Sequence, residues 1–167
     1  MYFMDRRNGK SLCRHRIRRF EQRRRHVAIT TDVIVGFPGE SEAQFEATYR
    51  LLEELRFDVV HVAAYSPRPG TPAERLSDDV PAEEKERRRK AVDQLQERIA
   101  GEINARLLGQ TVEILVEARR RGKWQGRTRT NKLVFLPIGE EDLTGHLVQV
   151  RIIHTGPWSM QGEVVQP

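Results

Sequence analysis

Cysteine is almost missing from this sequence of 167 residues, which contains only Cys13. A single thiol excludes a disulfide within the chain and any metal cluster built from several of its own cysteines. Long apolar runs are also missing, since none approaches the ~18 residues of a membrane span. No apolar segment follows the basic head, so a secretory signal peptide is not indicated. These absences predict a cytoplasmic protein without a membrane partner.

Charge is distributed unevenly, because acidic residues are scarce in residues 1–26. Residues 1–26 carry ten Lys or Arg and two acidic residues, whereas the net charge of the whole chain is +5. The segment 27–106 is net acidic, so the overall charge supports nucleic-acid binding only weakly. We expect residues 1–26 to be a basic, disordered head, because such charge blocks rarely pack. A basic arm that contacts RNA is the alternative.

A βαβ unit is predicted after this head. The run Val27–Val35 is mostly apolar and β-branched, as in a strand buried on both faces of a parallel sheet. Asp32 within it would be a buried carboxylate, either functional or hydrogen-bonded for structural reasons. Asp58–Tyr65 is the second strand, joined by a connection that suits a right-handed crossover. His61 on that strand is expected to be a core histidine with a hydrogen-bond partner.

The turn after the first strand is the segment Gly36–Glu40. Ser41 and Gln44 predict a capping box at the start of a helix that runs to about Arg56. In βα units, ligands bind at the C-terminal ends of the strands, where this turn lies. By pattern alone the turn is a weak signal, because many βα turns contain glycine and proline.

The loop after the second strand contains three prolines, which exclude the interior of a helix or a sheet. Its position makes Arg68 and Thr71 candidates for ligand contact, with a rigid connector as the alternative. A long helix begins near Pro81, and Gly109 is placed to end it. The charged run Lys85–Lys90 is expected to be a solvated face with charge pairs four residues apart.

From residue 111 onward, apolar residues alternate with polar ones, which is typical of strands with one buried face. Val112, Ile114 and Val116 follow this period, and turn signals separate about five short strands. The pattern predicts a small closed five-stranded β-barrel, of a kind that binds oligonucleotides.

A short stretch in this part carries candidate RNA contacts. Arg127 and Arg129 are two residues apart, so on a strand they point to the same face. Asn131 is suited to a turn, and Lys132 follows it. Two guanidinium groups, an amide and an ammonium suit contacts with phosphate and sugar. A solvated strand face is the alternative.

The two tryptophans are candidates for stacking against RNA bases. Trp124 lies just before the arginines, and Trp158 lies near the end of the chain. Stacking of a base on an aromatic side chain contributes ~1–3 kcal/mol where it occurs. A place in the hydrophobic core is the alternative for both.

Four motifs occur in this order: Thr30–Glu40, Tyr65–Pro72, Gly126–Val134 and Gly156–Glu163. Over roughly residues 27–167 the chain resembles the tRNA methylthiotransferases, which convert N6-isopentenyladenosine at position 37 of tRNA to its 2-methylthio form. The third motif is more similar to the tRNA enzymes than to the relatives that modify a ribosomal protein.

The resemblance implies an α/β plus β architecture. Residues 27–107 would be the C-terminal part of a radical S-adenosylmethionine partial TIM barrel, namely a βαβ unit with a long connecting helix. Residues 108–167 would be a TRAM domain, a five-stranded β-barrel that binds tRNA at the anticodon stem-loop.

The resemblance also implies functional residues. The region of the S-adenosylmethionine site would include Asp32, Gly36, Pro38, Gly39 and Glu40. The loop with Arg68 and Thr71 would lie near the mouth of that site. For the RNA contacts, the residue types themselves indicate Arg127, Arg129, Asn131, Lys132 and Trp124.

The chain departs from the family in its cysteines and its head. The family uses S-adenosylmethionine and two [4Fe–4S] clusters held by cysteine thiolates. With Cys13 alone, this chain is expected to hold no cofactor and no metal, and to contribute no catalytic residue. Residues 1–26 do not match the family, so we interpret the chain as a C-terminal piece with an unrelated head, from a broken or misread frame.

Two functional interpretations follow. The chain is either part of a transferase that acts only when an upstream polypeptide supplies the missing half, or a stand-alone TRAM-type RNA-binding module without catalysis. For the chain by itself, physical reasoning favours the module, since a strand at 27–35 would have exposed edges and an uncovered face.

Overall fold

The computed structural model describes residues 27–120, 122–139 and 141–165. They form two compact units, with the boundary after Gln96. The predicted disordered head, residues 1–26, and Cys13 lie outside the described residues. Within the described ranges, no helix combines the length and apolarity needed to cross a membrane.

The first unit contains the predicted βαβ arrangement. Its elements are β1 (Thr30–Val35), α1 (Glu42–Leu55), β2 (Val59–Ala64), a short 3-10 turn (Pro72–Arg75) and the start of α2 (Ala82–Ala105). β1 and β2 pair in parallel over their full lengths, from Thr30 opposite Val59 to Val35 opposite Ala64. The prediction of two parallel strands joined through a helix is confirmed.

The capping box predicted for α1 is present. The Ser41 hydroxyl accepts a hydrogen bond from the Gln44 N–H, and the Gln44 side chain accepts one from the Ser41 N–H. Arg56 ends the helix in the left-handed conformation, with a φ of 49°. Two donors that a helix start leaves unpaired are thereby satisfied, and both ends of the helix are fixed by local sequence.

The β1–β2 sheet is buried on one face only, which corrects two predictions. Thr30, Asp32 and Ile34 are exposed, Ile34 by 54%, and alternate with positions that are half-buried or, at Val35, buried. Asp32 is therefore not a buried carboxylate. His61 lies opposite Asp32 in the register and is exposed as well, so it is not a core histidine. Among the described residues the sheet has only two strands, and nothing covers its second face.

The second unit contains a closed barrel that follows the end of α2. Its strands are β3 (Thr111–Arg120), β4 (Lys123–Thr128), β5 (Leu133–Leu136), β6 (Leu147–Thr155) and β7 (Met160–Val164), closed in the order β3-β4-β5-β7-β6. The pair β5–β7 is parallel, and the other four pairs are antiparallel. The predicted five-stranded barrel is confirmed.

The barrel core comes from the inward positions of the alternating strands. The buried residues are Ile114, Val116, Trp124, Val134, Leu136, Val150, Ile152 and Met160. Full burial of one aliphatic side chain of this size contributes about 1.5–3 kcal/mol, so this cluster dominates the stability of the unit. The period-two prediction for β3 and β6 is confirmed by the burial of their inward valines and isoleucines.

Two glycines allow neighbouring strands to approach closely inside the barrel. A Cβ atom on Gly126 would lie 2.6 Å from the carbonyl oxygen of Leu115. A Cβ atom on Gly162 would collide with the Val150 side chain and lie 2.9 Å from the carbonyl oxygen of Arg151. Both obstacles include backbone atoms, which cannot rotate away. Glycine at these positions is therefore a condition of barrel closure.

We predict that Gly126→Ala lowers the free energy of unfolding by about 1–3 kcal/mol, because the methyl group forces β3 and β4 apart. Urea unfolding followed by circular dichroism measures the change. Gly139→Ala is the matched control, since a Cβ atom there meets nothing within 4 Å. Its effect is expected within about 0.5 kcal/mol. Equal unfolding midpoints for both variants would contradict the role of Gly126.

Candidate functional site on the barrel surface and at the glycine turn

The candidate RNA contacts surround the turn between β4 and β5. Asn131 lies in the turn predicted for it and adopts the left-handed conformation, with a φ of 61°. The Thr128 N–H donates to the carbonyl oxygen of Lys132 at 3.0 Å, and the Asn131 N–H donates to that of Thr128 at 2.9 Å. The Lys132 N–H donates to the Thr128 hydroxyl at 3.1 Å. These bonds hold the turn in one conformation, so its side chains project from a fixed backbone.

The two arginines face carboxylates of β3. Arg127 Nε lies 3.3 Å from a Glu117 oxygen, and Arg127 also donates to the carbonyl oxygen of Asn131 at 3.1 Å. Arg129 lies 2.6 Å from Glu113 Oε1, as a close charge contact and not as an aligned hydrogen bond. The Arg129 side chain is 78% exposed and that of Arg127 is 38% exposed.

These ion pairs partly neutralise the positive charge of the surface, but they do not prevent the arginines from binding phosphate. Exposed pairs of this kind are worth only about 0–1 kcal/mol each. A phosphate oxygen can therefore replace the carboxylate of Glu117 at little cost, and the exposed guanidinium of Arg129 has further N–H donors for phosphate beside its contact with Glu113. The arrangement is suited to backbone contacts with RNA and not to reading base sequence.

The two tryptophans lie in different environments, one buried and one exposed. Trp124 is only 4% exposed and lies opposite Leu136 in the β4–β5 register, inside the barrel. It is therefore a core residue and is not placed to stack on a base, contrary to its assignment as an RNA contact. The cause is its inward position on β4, which the alternation of a strand assigns to the core. Trp158 lies in the turn between β6 and β7 and is 57% exposed.

The glycine turn after β1 is bonded within the chain. The Gly36 N–H donates to Glu40 Oε2 at 2.6 Å, and the Gly39 N–H donates to Asp79 Oδ1 at 2.7 Å. The Glu40 side chain is 14% exposed and accepts a hydrogen bond from Arg88 at 2.8 Å. A Cβ atom on Gly36 would collide with the side chain of Lys85.

The residues predicted to lie in the S-adenosylmethionine region are mostly bonded within the chain. The N–H groups of Gly36 and Gly39 and the carboxylate of Glu40 all bond to other groups of the chain, and Pro38 offers no N–H. Asp32 lies on the exposed sheet face. These bonds fix the turn within the chain, and its assignment to a cofactor site stays a prediction.

The run Lys85–Lys90 is not a uniformly solvated face, which corrects another prediction. The pair Glu86–Lys90 is present at 3.6 Å, as expected for residues four apart. Lys85 and Arg88 are only 7% and 4% exposed, however, because they lie on the side of α2 that faces the unit's interior. Lys85 lies 2.5 Å from Asp78 Oδ1, which compensates its buried charge.

Arg88 is the centre of a network that fixes the glycine turn. Its guanidinium donates to the carboxylate and the carbonyl oxygen of Glu40, at 2.8 and 3.0 Å. It also donates to Glu84 at 2.6 Å. Hydrogen bonds from Arg87, and then from Arg88, lower the pKa of the Glu84 carboxyl to about 2, against the opposing effect of its desolvation. Glu84 is therefore ionised at neutral pH, and its charge helps to balance two guanidinium groups.

The loop after β2 is braced by its own hydrogen bonds. The Thr71 hydroxyl donates to the carbonyl oxygen of Arg68 at 2.8 Å, and the Gly70 N–H donates to Glu74 at 2.8 Å. The Tyr65 hydroxyl donates to the carbonyl oxygen of Ala73 at 3.1 Å. Arg68 is exposed. The role of Arg68 and Thr71 in substrate contact stays a prediction.

Across the described ranges, no group of three or more His, Cys, Asp or Glu side chains is placed to hold a metal ion.

Comparison with known proteins identifies the relatives of both units. Residues 105–165 match the model of the TRAM domain family. The tRNA-2-methylthio-N(6)-dimethylallyladenosine synthase of Roseiflexus sp. is 57% identical over 140 residues, which are 81% of this chain and 29% of that protein. The chain is a homologue of part of these synthases. The Chloroflexus aurantiacus and Bacillus cereus synthases are 54% and 41% identical, over 81% and 90% of this chain and 30% of each relative.

The TRAM match covers all five barrel strands. The matches to the synthases are longer than the TRAM domain, so they include much of the first unit as well. The chain spans about 30% of the length of these curated relatives. A solved multidomain protein with nucleic acid binding domains from Streptococcus pneumoniae is 15% identical, with a TM-score of 0.31 over 36% of this chain and 23% of that one. A TM-score this low does not establish a shared fold.

We predict that Arg88→Met destabilises the first unit by about 3–5 kcal/mol, because it leaves the carboxylate of Glu40 without its buried cation. Urea unfolding measures the loss, and hydrogen exchange at the Gly36 and Gly39 amides reports whether the turn opens. Arg87→Met is the neighbouring control, since its side chain is 52% exposed and the expected change is about 0–1 kcal/mol. Slow exchange of both glycine amides in Arg88→Met would show that the turn does not depend on Arg88.

Proposed function

We propose that the chain serves tRNA modification, as the tRNA-binding C-terminal part of a methylthiotransferase that acts on N6-dimethylallyladenosine in the anticodon stem-loop. The observation that carries the proposal is the TRAM barrel joined to a unit that is also homologous to synthases of that name. The exposed arginines beside the β4–β5 turn supply the cationic surface that an RNA backbone requires.

The barrel would hold RNA mainly through its phosphates. Arg127, Arg129 and Lys132 lie in and beside one turn that backbone hydrogen bonds fix, and in this proposal each contributes a phosphate contact. Each neutralised phosphate releases counterions, and the affinity then falls with salt with a slope of about −0.7 per contact for single strands. Binding of this kind orients the stem-loop without requiring a specific sequence at every position.

Catalysis requires groups that these 167 residues do not contain. Cys13 is the only cysteine in the sequence, and the resemblance implies clusters that are held by several cysteine thiolates. We propose that a polypeptide segment with those cysteines completes the barrel of the first unit. Among the described residues, β1 and β2 each have one unpaired edge, which suits the addition of further strands. The cytoplasm is the proposed compartment, since tRNA is the proposed substrate.

A stand-alone RNA-binding module is not favoured by the relatives. The match to the synthases extends over 140 residues, and the TRAM domain accounts for only residues 105–165. A module that needed only its barrel would not require a first unit so similar to the synthases.

We predict that the chain binds an anticodon stem-loop with an affinity that falls with salt, and that the triple variant Arg127→Ala, Arg129→Ala, Lys132→Ala lowers both the affinity and the slope. Fluorescence anisotropy across a salt series measures both. The loss of three contacts is expected to reduce the magnitude of the slope by about 2.

A second triple variant controls for net charge. Arg50→Ala, Arg75→Ala and Lys90→Ala remove the same charge from exposed positions of the first unit and should leave the slope unchanged. Deletion of residues 1–26 tests the basic head. The proposal is contradicted if the barrel variant binds as well as the parent and only the deletion abolishes binding, since the head would then be a non-specific polycation.

A further inference from the structure

The parallel pair of the barrel brings two turns together. β5 and β7 run in the same direction, with Val134 opposite Met160 and Phe135 opposite Gln161. The turns that precede these strands therefore lie at the same end of the pair. Lys132 precedes Val134 by two residues, and Trp158 precedes Met160 by two residues. The paired residues lie about one strand spacing apart, so the cationic β4–β5 turn and the turn with the exposed tryptophan are neighbours at that end of the pair.

The turn that carries Trp158 is fixed by a hydrogen bond within the turn and by hydrogen bonds from α2. The Gly156 N–H donates to the carbonyl oxygen of Ser159 at 2.9 Å, which closes the turn on itself. Asn104, at the end of α2, is only 4% exposed and donates to the carbonyl oxygens of Gly156 and Pro157, at 2.8 and 3.1 Å. Pro157 restricts the backbone further. The backbone is therefore fixed, while the indole remains 57% exposed.

An exposed tryptophan on a fixed turn needs an explanation, because tryptophan is highly buried on average. Pre-organised aromatic side chains bind partners at low entropic cost. The neighbouring turn presents a guanidinium and an ammonium, at Arg129 and Lys132, together with the hydroxyl of Thr130. An aromatic surface beside cations and hydroxyls matches a nucleotide, which combines a planar base with a phosphate, better than it matches an apolar protein surface.

We propose that Trp158 is a stacking platform for one unpaired RNA base, and that the cations of the β4–β5 turn contact the phosphates that flank that base. The inference rests on the proposed RNA-binding function and adds the class of RNA. The barrel selects a loop or single strand with at least one unstacked base, because a base inside a duplex cannot reach the indole. Fully paired RNA would reach the cations but not the tryptophan.

The test uses the fluorescence of the full chain, which has only two tryptophans. Trp124 is buried and Trp158 is exposed, so RNA that stacks on Trp158 quenches the exposed emission and leaves the buried emission unchanged. An anticodon stem-loop is titrated into the parent chain, and a blunt, fully paired duplex of the same length is the comparison. Quenching is expected with the stem-loop alone. In Trp158→Phe, an emission maximum at the short wavelength of a buried indole shows that Trp124 is still in the core and that the barrel is folded.

Two substitutions separate stacking from apolar contact. Trp158→Leu keeps an apolar side chain without a ring and is expected to weaken stem-loop binding about fivefold or more, with the salt slope unchanged. Trp158→Phe keeps a ring and should retain most of the affinity. Leu147→Ala, at a side chain that is 61% exposed on the outside of β6, is the control and should bind as the parent does.

The outcomes distinguish failure of the stacking proposal from failure of the proposed RNA-binding function. If Trp158→Leu binds the stem-loop as tightly as the parent, while the triple variant of the cations binds weakly, stacking is wrong and the RNA-binding function stands. Equal quenching by stem-loop and duplex also overturns the selection of unpaired bases. If the parent chain does not bind RNA at all, both proposals fail.

Discussion

Closure of the small barrel through the parallel β5–β7 pair is the constraint on which the candidate interface depends. That pair joins the two halves of the strand order, and it aligns the starts of β5 and β7 at one end. Gly126 and Gly162 permit the close approach of strands inside the barrel. Without closure, the turn of Lys132 and the turn of Trp158 would have no fixed relation, and an aromatic surface beside cations would not exist.

Charge is used differently in the two units. On the barrel, Arg127 and Arg129 pair with glutamates at the surface, where each pair is weak and exchangeable. In the first unit, Arg88 is buried against the mostly buried Glu40, and removal of one partner leaves a poorly hydrated charge without its counter-charge. The first arrangement is compatible with reversible RNA contact, and the second fixes the backbone of the glycine turn.

The sequence predicted the elements that local patterns determine. The capping box at Ser41, the turn at Asn131 and the alternation of the barrel strands depend on neighbouring residues, and all are present. Burial depends on what packs from a distance, and there the predictions for Asp32 and the run Lys85–Lys90 were wrong. A signal for the second existed, because Lys85 and Arg88 continue the helical spacing of the apolar stripe on α2. The adjacency of Lys132 and Trp158 follows from the strand order, which no local pattern encodes.

The central claim is that the barrel, and not the basic head, is the RNA-binding surface. Ultraviolet cross-linking of the full chain to an anticodon stem-loop, followed by mass spectrometry of the cross-linked peptides, tests it most directly. At physiological ionic strength we predict cross-links at the β4–β5 turn and at Trp158. Cross-links confined to residues 1–26, with none on the barrel, would contradict the account.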